Sequence, residues 1–171
     1  MQKNSVNLNS AMRDYAKLVY SLAYSRTQNH ADAEDIFQEV FLRLAQRSEP
    51  FHDEEHCKAW LIRVTANLSV NLIASAWRRH VTLREYLPQH RNIPAAEETF
   101  DLDDVMKKLS DQQRMVLVLR YSENMSVEEI AYTLQESVPT IRKRIVRAKQ
   151  KLGRLLSEQK EEESSNVYVQ R

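Results

Sequence analysis

Seven basic residues and no acidic one stand between Val138 and Leu156. They are Arg142, Lys143, Arg144, Arg147, Lys149, Lys151 and Arg154. Cations at this density neutralise phosphates, and an arginine fork fits a guanine edge. A second stretch, Lys58 to Arg84, holds five basic residues and no acidic one. Within it lie Trp60 and Trp77, whose rings can stack on bases, and Asn67 and Asn71, whose amides can bond base edges. Gln28 to His56 has the opposite balance, eight acidic residues against two basic. Such an acidic face suits a basic protein partner. Each block can also be no more than a solvated helix face, so the elements that carry it must decide.

Other chemistry is poorly served. Gly153 is the only glycine, which removes every glycine-rich phosphate loop and most hairpin turns. There is no nucleophile elbow and no paired-histidine metal motif, so no enzymatic activity, cofactor or small-molecule substrate is expected. His52, His56 and Cys57 are metal-ligating types, but their spacing matches no zinc pattern and no metal is expected. Cys57 is the only cysteine, which excludes a disulfide within the chain and fits a reducing compartment. The start, MQKNSVNLNS, has no apolar core for a signal peptide, and no apolar run is long enough for membrane insertion. A cytoplasmic protein is expected.

The apolar periodicity is helical throughout. Leu8, Met12, Tyr15, Val19 and Leu22 mark one helix, to about Tyr24. Asn29 can cap a second, His30 to about Gln46, with Ala33, Ile36, Phe37, Val40, Phe41 and Leu44 inward. That stripe leaves Asp35, Gln38, Glu39 and Leu42 at the solvent edge. Asp53 can cap a third helix carrying Trp60, Leu61 and Val64, which places Trp60 with the core. A break is expected between Asn67 and Asn71, followed by a further helix to about Arg79. Pro88 and Pro94 fall where the period fails, so residues 85–100 read as a flexible linker.

Beyond it, Leu102, Val105, Met106 and Leu109 restore the helical period. Ser110 with Gln113, and Ser126 with Glu129, form capping boxes that open two more helices. Ser137 can cap the last, with Pro139 in its first turn and Ile141, Ile145, Ala148 and Leu152 inward. Lys143, Val146, Arg147 and Gln150 then project outward. A capped helix, a short polar turn and a basic helix make a helix-turn-helix that fits the major groove. The turn has no glycine, so Gln135 or Glu136 must take it up. The expected fold is all-α: two small helical domains, residues 1–84 and 101–157, then a disordered acidic tail, residues 158–171. The tail's Glu158 to Glu163 could cover the basic recognition helix.

These segments also carry a family resemblance. MSVEEIAYTLQESVPTIRKRIVRAKQKL, Met125 to Leu152, resembles the promoter-recognition helix-turn-helix of extracytoplasmic-function (ECF) sigma factors, and LSDQQRMVLVLRY, Leu109 to Tyr121, resembles the helix before it. HADAEDIFQEVFLRL, His30 to Leu44, is similar to the helix by which that family grips the polymerase clamp. KAWLIRVTANLSVNLIASAWRRH, Lys58 to His80, is similar to the segment that binds the melted promoter element. The resemblance covers roughly residues 8–84 and 101–156.

The resemblance implies a sigma region 2 domain, then a region 4 domain, and places Asp35, Gln38, Glu39 and Leu42 on core RNA polymerase. It implies capture of a flipped minus-ten base by Asn71 in a loop pocket, with Asn67 and Ser69 beside it, Trp77 stacking and Arg63, Arg78 and Arg79 on the backbone. Thr140, Arg142, Lys143, Arg144, Arg147 and Lys151 are left to read the duplex minus-thirty-five element. Promoter DNA and an anti-sigma factor are the other implied partners. The competing expectation is a stand-alone helix-turn-helix regulator that never touches the polymerase.

Overall fold

The computed structural model describes residues 8–83 and 102–169, with side chains for 8–74, 102 and 104–158. The expected linker at 85–100 lies outside the described residues. The elements are α1 (Leu8–Thr27), α2 (His30–Ala45), α3 (Glu54–Leu83), α4 (Leu102–Lys107), α5 (Asp111–Leu117), α6 (Val127–Leu134) and α7 (Val138–Val169). A π-helical turn, Val118–Ser122, continues α5.

Helix starts follow the capping chemistry. The Asp32 amide donates to Asn29 Oδ1 at 3.1 Å, and the His56 amide donates to Asp53 Oδ1 at 2.7 Å. Both capping boxes close: Ser110 with Gln113, and Ser126 with Glu129. Two of the orphan amides at each of these boxed starts therefore find partners before packing begins.

The first domain stacks α1, α2 and α3 around Val19, Ala23, Ile36, Val40, Phe41, Cys57 and Leu61. Trp60 packs against this core, edge-on to Phe51 at 5.7 Å, with the Arg47 guanidinium over its ring. Cys57 is fully buried, and desolvation pushes its thiol up to about 11. In the second domain α7 packs against α4, α5 and α6, with Val105, Leu109, Leu117, Ala148 and Leu155 at one end.

The two domains also share a core. Leu18, Leu22, Ile62 and Ala66 of the first pack with Met115, Val116, Leu119, Met125, Ile130 and Ala131 of the second. The sequence suggested two independent bodies, because periodicity reports that a face is apolar and not what covers it.

Two expectations are corrected. Helix α3 does not break between Asn67 and Asn71 but runs unbroken from Glu54 to Leu83. Leu68, Ser69 and Val70 include no strong breaker, and Ser69 Oγ donates back to the Thr65 carbonyl at 2.8 Å. The tail after Ser157 is helical in its backbone, as α7 continues to Val169. Its start, EQKEEE, consists of good helix formers with neither glycine nor proline.

The helical tail bears on regulation. Glu158 lies on the same rod as Arg147, roughly 16 Å further along at the ordinary helical rise. That exceeds the screening length of about 8–10 Å in physiological salt. Truncation after Ser157 is therefore expected to leave duplex DNA affinity unchanged in a titration at physiological salt. A clear gain in affinity would restore the covering tail.

Candidate nucleic-acid interface

Helices α6 and α7 are joined by a turn that solves the missing-glycine problem. Gln135 takes the left-handed conformation, φ 56° and ψ 40°. The Glu136 amide donates to the Ala131 carbonyl at 3.0 Å and the Gln135 amide to Tyr132 at 3.2 Å, the paired bonds of a Schellman motif. A side chain at this φ is strained by about 1 kcal/mol relative to glycine. Gln135→Gly is accordingly expected to stabilise the second domain by about 0.5–1 kcal/mol, read as a higher midpoint in thermal or urea unfolding.

The Ser137 hydroxyl receives the Thr140 amide at 3.3 Å, and α7 begins. Ile141, Ile145 and Ala148 are buried, so Thr140, Arg142, Lys143 and Arg147 are exposed on the remaining faces, while Lys151 is half-buried. Val146 stands between the cations, 47% exposed. Arg142 lies 3.6 Å from Glu128 in a solvated pair of little energetic weight.

Arg144 differs from its neighbours. Both its Nη atoms donate to the two carboxylate oxygens of Glu136, at 2.8 and 2.7 Å, and its side chain is only 15% exposed. This bidentate pair ties the turn to the second turn of α7, eight residues on. The guanidinium expected on DNA is thus engaged inside the protein. Spacing alone did not reveal this, because on the helix wheel Arg144 only flanks the outward face.

On α3, one face carries Ala59, Ile62, Arg63, Ala66, Asn67 and Val70, all of which border the second domain. Arg63 Nε donates to the Thr133 carbonyl of α6 at 3.1 Å. Asn67 and Asn71 are both exposed and stand one helical turn apart rather than flanking a loop. Ser69 is fully buried between them, with its hydroxyl bonded to the Thr65 carbonyl, which removes it from any DNA surface in this arrangement. The side chains of Trp77, Arg78 and Arg79 lie outside the described residues.

The acidic edge of α2 is open. Asp35 and Gln38 are exposed and Leu42 is 51% exposed. Glu39 is half-buried and pairs with Arg43 at 2.7 Å.

The junction between the domains holds charges that periodicity could not find. Arg26, near the end of α1, is 4% exposed and donates to Asp111 Oδ2 at 2.5 Å. Its Nε is buried without a partner. Burial lowers the pKa of its guanidinium, while Asp111 acts in the opposite direction. Arg114, 6% exposed, donates to the carbonyls of Ser25, Arg26, Met106 and Leu109. It thereby satisfies orphan carbonyls at the ends of both α1 and α4. No pattern in the sequence marked either residue: Arg26 stands between Ser25 and Thr27, and Arg114 follows Gln112 and Gln113.

An exposed acidic edge, a basic helix-turn-helix and an asparagine-bearing helix stand together on a chain whose described residues form helices and their connections. Comparison with known proteins is more specific. Residues 11–79 match the family model for sigma-70 region 2, and residues 99–152 match that for sigma-70 region 4. The ECF RNA polymerase sigma factor SigE of Mycolicibacterium smegmatis is 32% identical over 91% of this chain and 64% of its own length. The RNA polymerase sigma-E factor of Streptomyces coelicolor is 36% identical over 74% of this chain and 71% of its own. SigW of Bacillus subtilis is 28% identical over 83% of this chain and 84% of its own.

Among solved structures, the sigma factor RpoE in complex with the anti-sigma factor NepR, from Bartonella quintana, superposes with a TM-score of 0.64. It is 23% identical, covering 87% of this chain and 96% of that one. CnrH in complex with the cytosolic domain of CnrY gives 0.60 at 22% identity, covering 88% of each chain. The chain belongs to the sigma-70 family, as an ECF sigma factor. None of the helices searched among the described residues is long and apolar enough to cross a membrane.

Proposed function

We propose that this chain binds core RNA polymerase, directs it to specific promoters and helps to melt the minus-ten element. The chain itself carries no chemistry in this reading and acts in the cytoplasm. Asp35, Gln38, Glu39 and Leu42 dock on the polymerase. Asn67 and Asn71, with Arg63, Trp77, Arg78 and Arg79, face the melted strand. Thr140, Arg142, Lys143, Arg147 and Lys151 contact the minus-thirty-five duplex, and Arg144 sets the helix that carries them. An anti-sigma factor is the proposed regulator, as in the complex of RpoE with NepR.

The observation that supports this reading best is the edge of α2. An exposed leucine framed by Asp35, Gln38 and Glu39 offers acceptors around an apolar contact, which suits an arginine-bearing helix. A stand-alone repressor would have no need of it. The test mixes purified chain with core RNA polymerase, beside a variant carrying Asp35→Ala, Gln38→Ala and Glu39→Ala. A stable complex with the wild type, weakened at least tenfold in the variant, is expected. No complex, with direct duplex binding instead, would favour the stand-alone regulator.

A further inference from the structure

We infer that an apolar groove on the second domain, open along α7 at Gly153, is the contact surface for a second copy of this chain, whose own α7 lies in it antiparallel. The surface is independent of promoter recognition, since none of its residues is placed on DNA or on the polymerase above.

The groove lies between α4, the π-helical turn and α7, and holds about 440 Å³. Leu102 and Met106 of α4, Val118 and Tyr121 of the turn, and Leu152 and Leu156 of α7 line it. Leu102 is 52% exposed and Tyr121 is 53% exposed. Lys149 stands at the rim, its Nζ 5.9 Å from the centre of the Tyr121 ring. Contiguous apolar surface with a polar rim marks an interaction site.

The only glycine of the chain lines the same groove. Inside a helix, glycine is less favourable than almost any other residue. Gly153 does not have a positive φ, so the backbone does not require it. A Cβ there would meet nothing within 4 Å, so packing within the chain does not require it either. The remaining physical reason is room for another backbone to come close. A helix laid against Gly153 gains dispersion contacts that a side chain would hold off.

Charge selects the helix. From Val138 to Leu156, α7 carries seven basic residues and no acidic one. Beyond it come Glu158, Glu161, Glu162 and Glu163, with Lys160 the one base before Val169. Such a rod is its own electrostatic complement when a second copy runs antiparallel. By helical spacing Lys149, Leu152, Gly153, Leu156, Lys160 and Glu163 share a face. An antiparallel pair centred on Leu156 sets Leu156 against its counterpart. It also sets Lys149 opposite Glu163 of the second copy, twice by symmetry. The net charge of +1 leaves little overall repulsion to overcome.

The contact spans about four helical turns, roughly 21 Å. That is the small end of specific interfaces, below about 1,200 Å². The dimer is therefore weak, with a dissociation constant of about 10–100 µM.

Sedimentation equilibrium of the full chain, from about 1 to 500 µM to bracket that constant, reads the dimer directly. The wild type should pass from the monomer mass towards twice that mass. Gly153→Gln should weaken association by about tenfold or more, because its side chain stands where the second backbone must come. Glutamine is the better helix former, so the thermal midpoint of this variant should not fall. Lys149→Glu and Glu163→Lys should each weaken association by about tenfold, and the two together should restore it.

A wild type that stays monomeric throughout would overturn the second copy as occupant. If Gly153→Gln then weakens a complex with core polymerase instead, the groove serves the polymerase. A dimer indifferent to Gly153→Gln would overturn the groove as its contact. A dimer that the double charge reversal does not restore would overturn the antiparallel pairing.

Discussion

Leu61→Ala is expected to lower the stability of the first domain by about 3 kcal/mol, within the 2–5 kcal/mol typical of such truncations. Leu61 is fully buried on α3, in the cluster that joins Val19, Ile36, Val40 and Cys57. Its removal forfeits the transfer free energy of the lost methyls and leaves a cavity that three helices must either tolerate or collapse into. In a domain of this size each kcal/mol is worth roughly 4–8 °C, so the thermal midpoint should fall by about 12–24 °C. Leu42→Ala is the matched control. Leu42 is 51% exposed, and its loss should change stability by less than about 0.5 kcal/mol while weakening polymerase docking. Thermal unfolding followed by circular dichroism checks both. A small effect at Leu61 would mean that α3 is not seated as described.

That contrast marks what the sequence makes legible. Leu61 and Leu42 are the same residue type, and their opposite fates follow from helical spacing alone. The same arithmetic placed Ile36, Val40, Ile141, Ile145 and Ala148 inside. Capping chemistry is equally local, so Asn29, Ser110, Ser126 and Ser137 could be read directly. What failed was non-local, or hung on a weak local preference. The break expected near Asn67 rested on a polar interruption, and Ser69 resolved it by bonding back within the helix. Arg26 and Arg114 are buried because the other domain supplies Asp111 to the first and the Ser25 and Arg26 carbonyls to the second, and no window of sequence contains that information. The left-handed turn was foreseen as a requirement, and only the structure assigned it to Gln135.

The basic helix gives the sharpest division of labour, and the second large effect. Lys143 and Arg147 are exposed on α7, whereas Arg144 is locked to Glu136 through two bonds. A cation on a phosphate releases counterions, so removing it should flatten the dependence of log affinity on log salt by about one. One that reads a base should cost about 1–3 kcal/mol at its own site and less elsewhere. Lys143→Ala and Arg147→Ala should each lower duplex affinity by about tenfold or more, by one of these two routes, with the unfolding midpoint unchanged.

Arg144→Ala should do the reverse. It leaves the half-buried Glu136 carboxylate without its partner, and the cost, about 1–2 kcal/mol after allowing for its partial exposure, falls on folding. The salt slope should hold, because Arg144 neutralises Glu136 and not a phosphate. Duplex titrations across a salt series, beside urea unfolding of each variant, separate the two signatures. If Arg144→Ala flattens the slope while its midpoint stays, the guanidinium leaves Glu136 for DNA, and the pair is a feature of the unbound chain only.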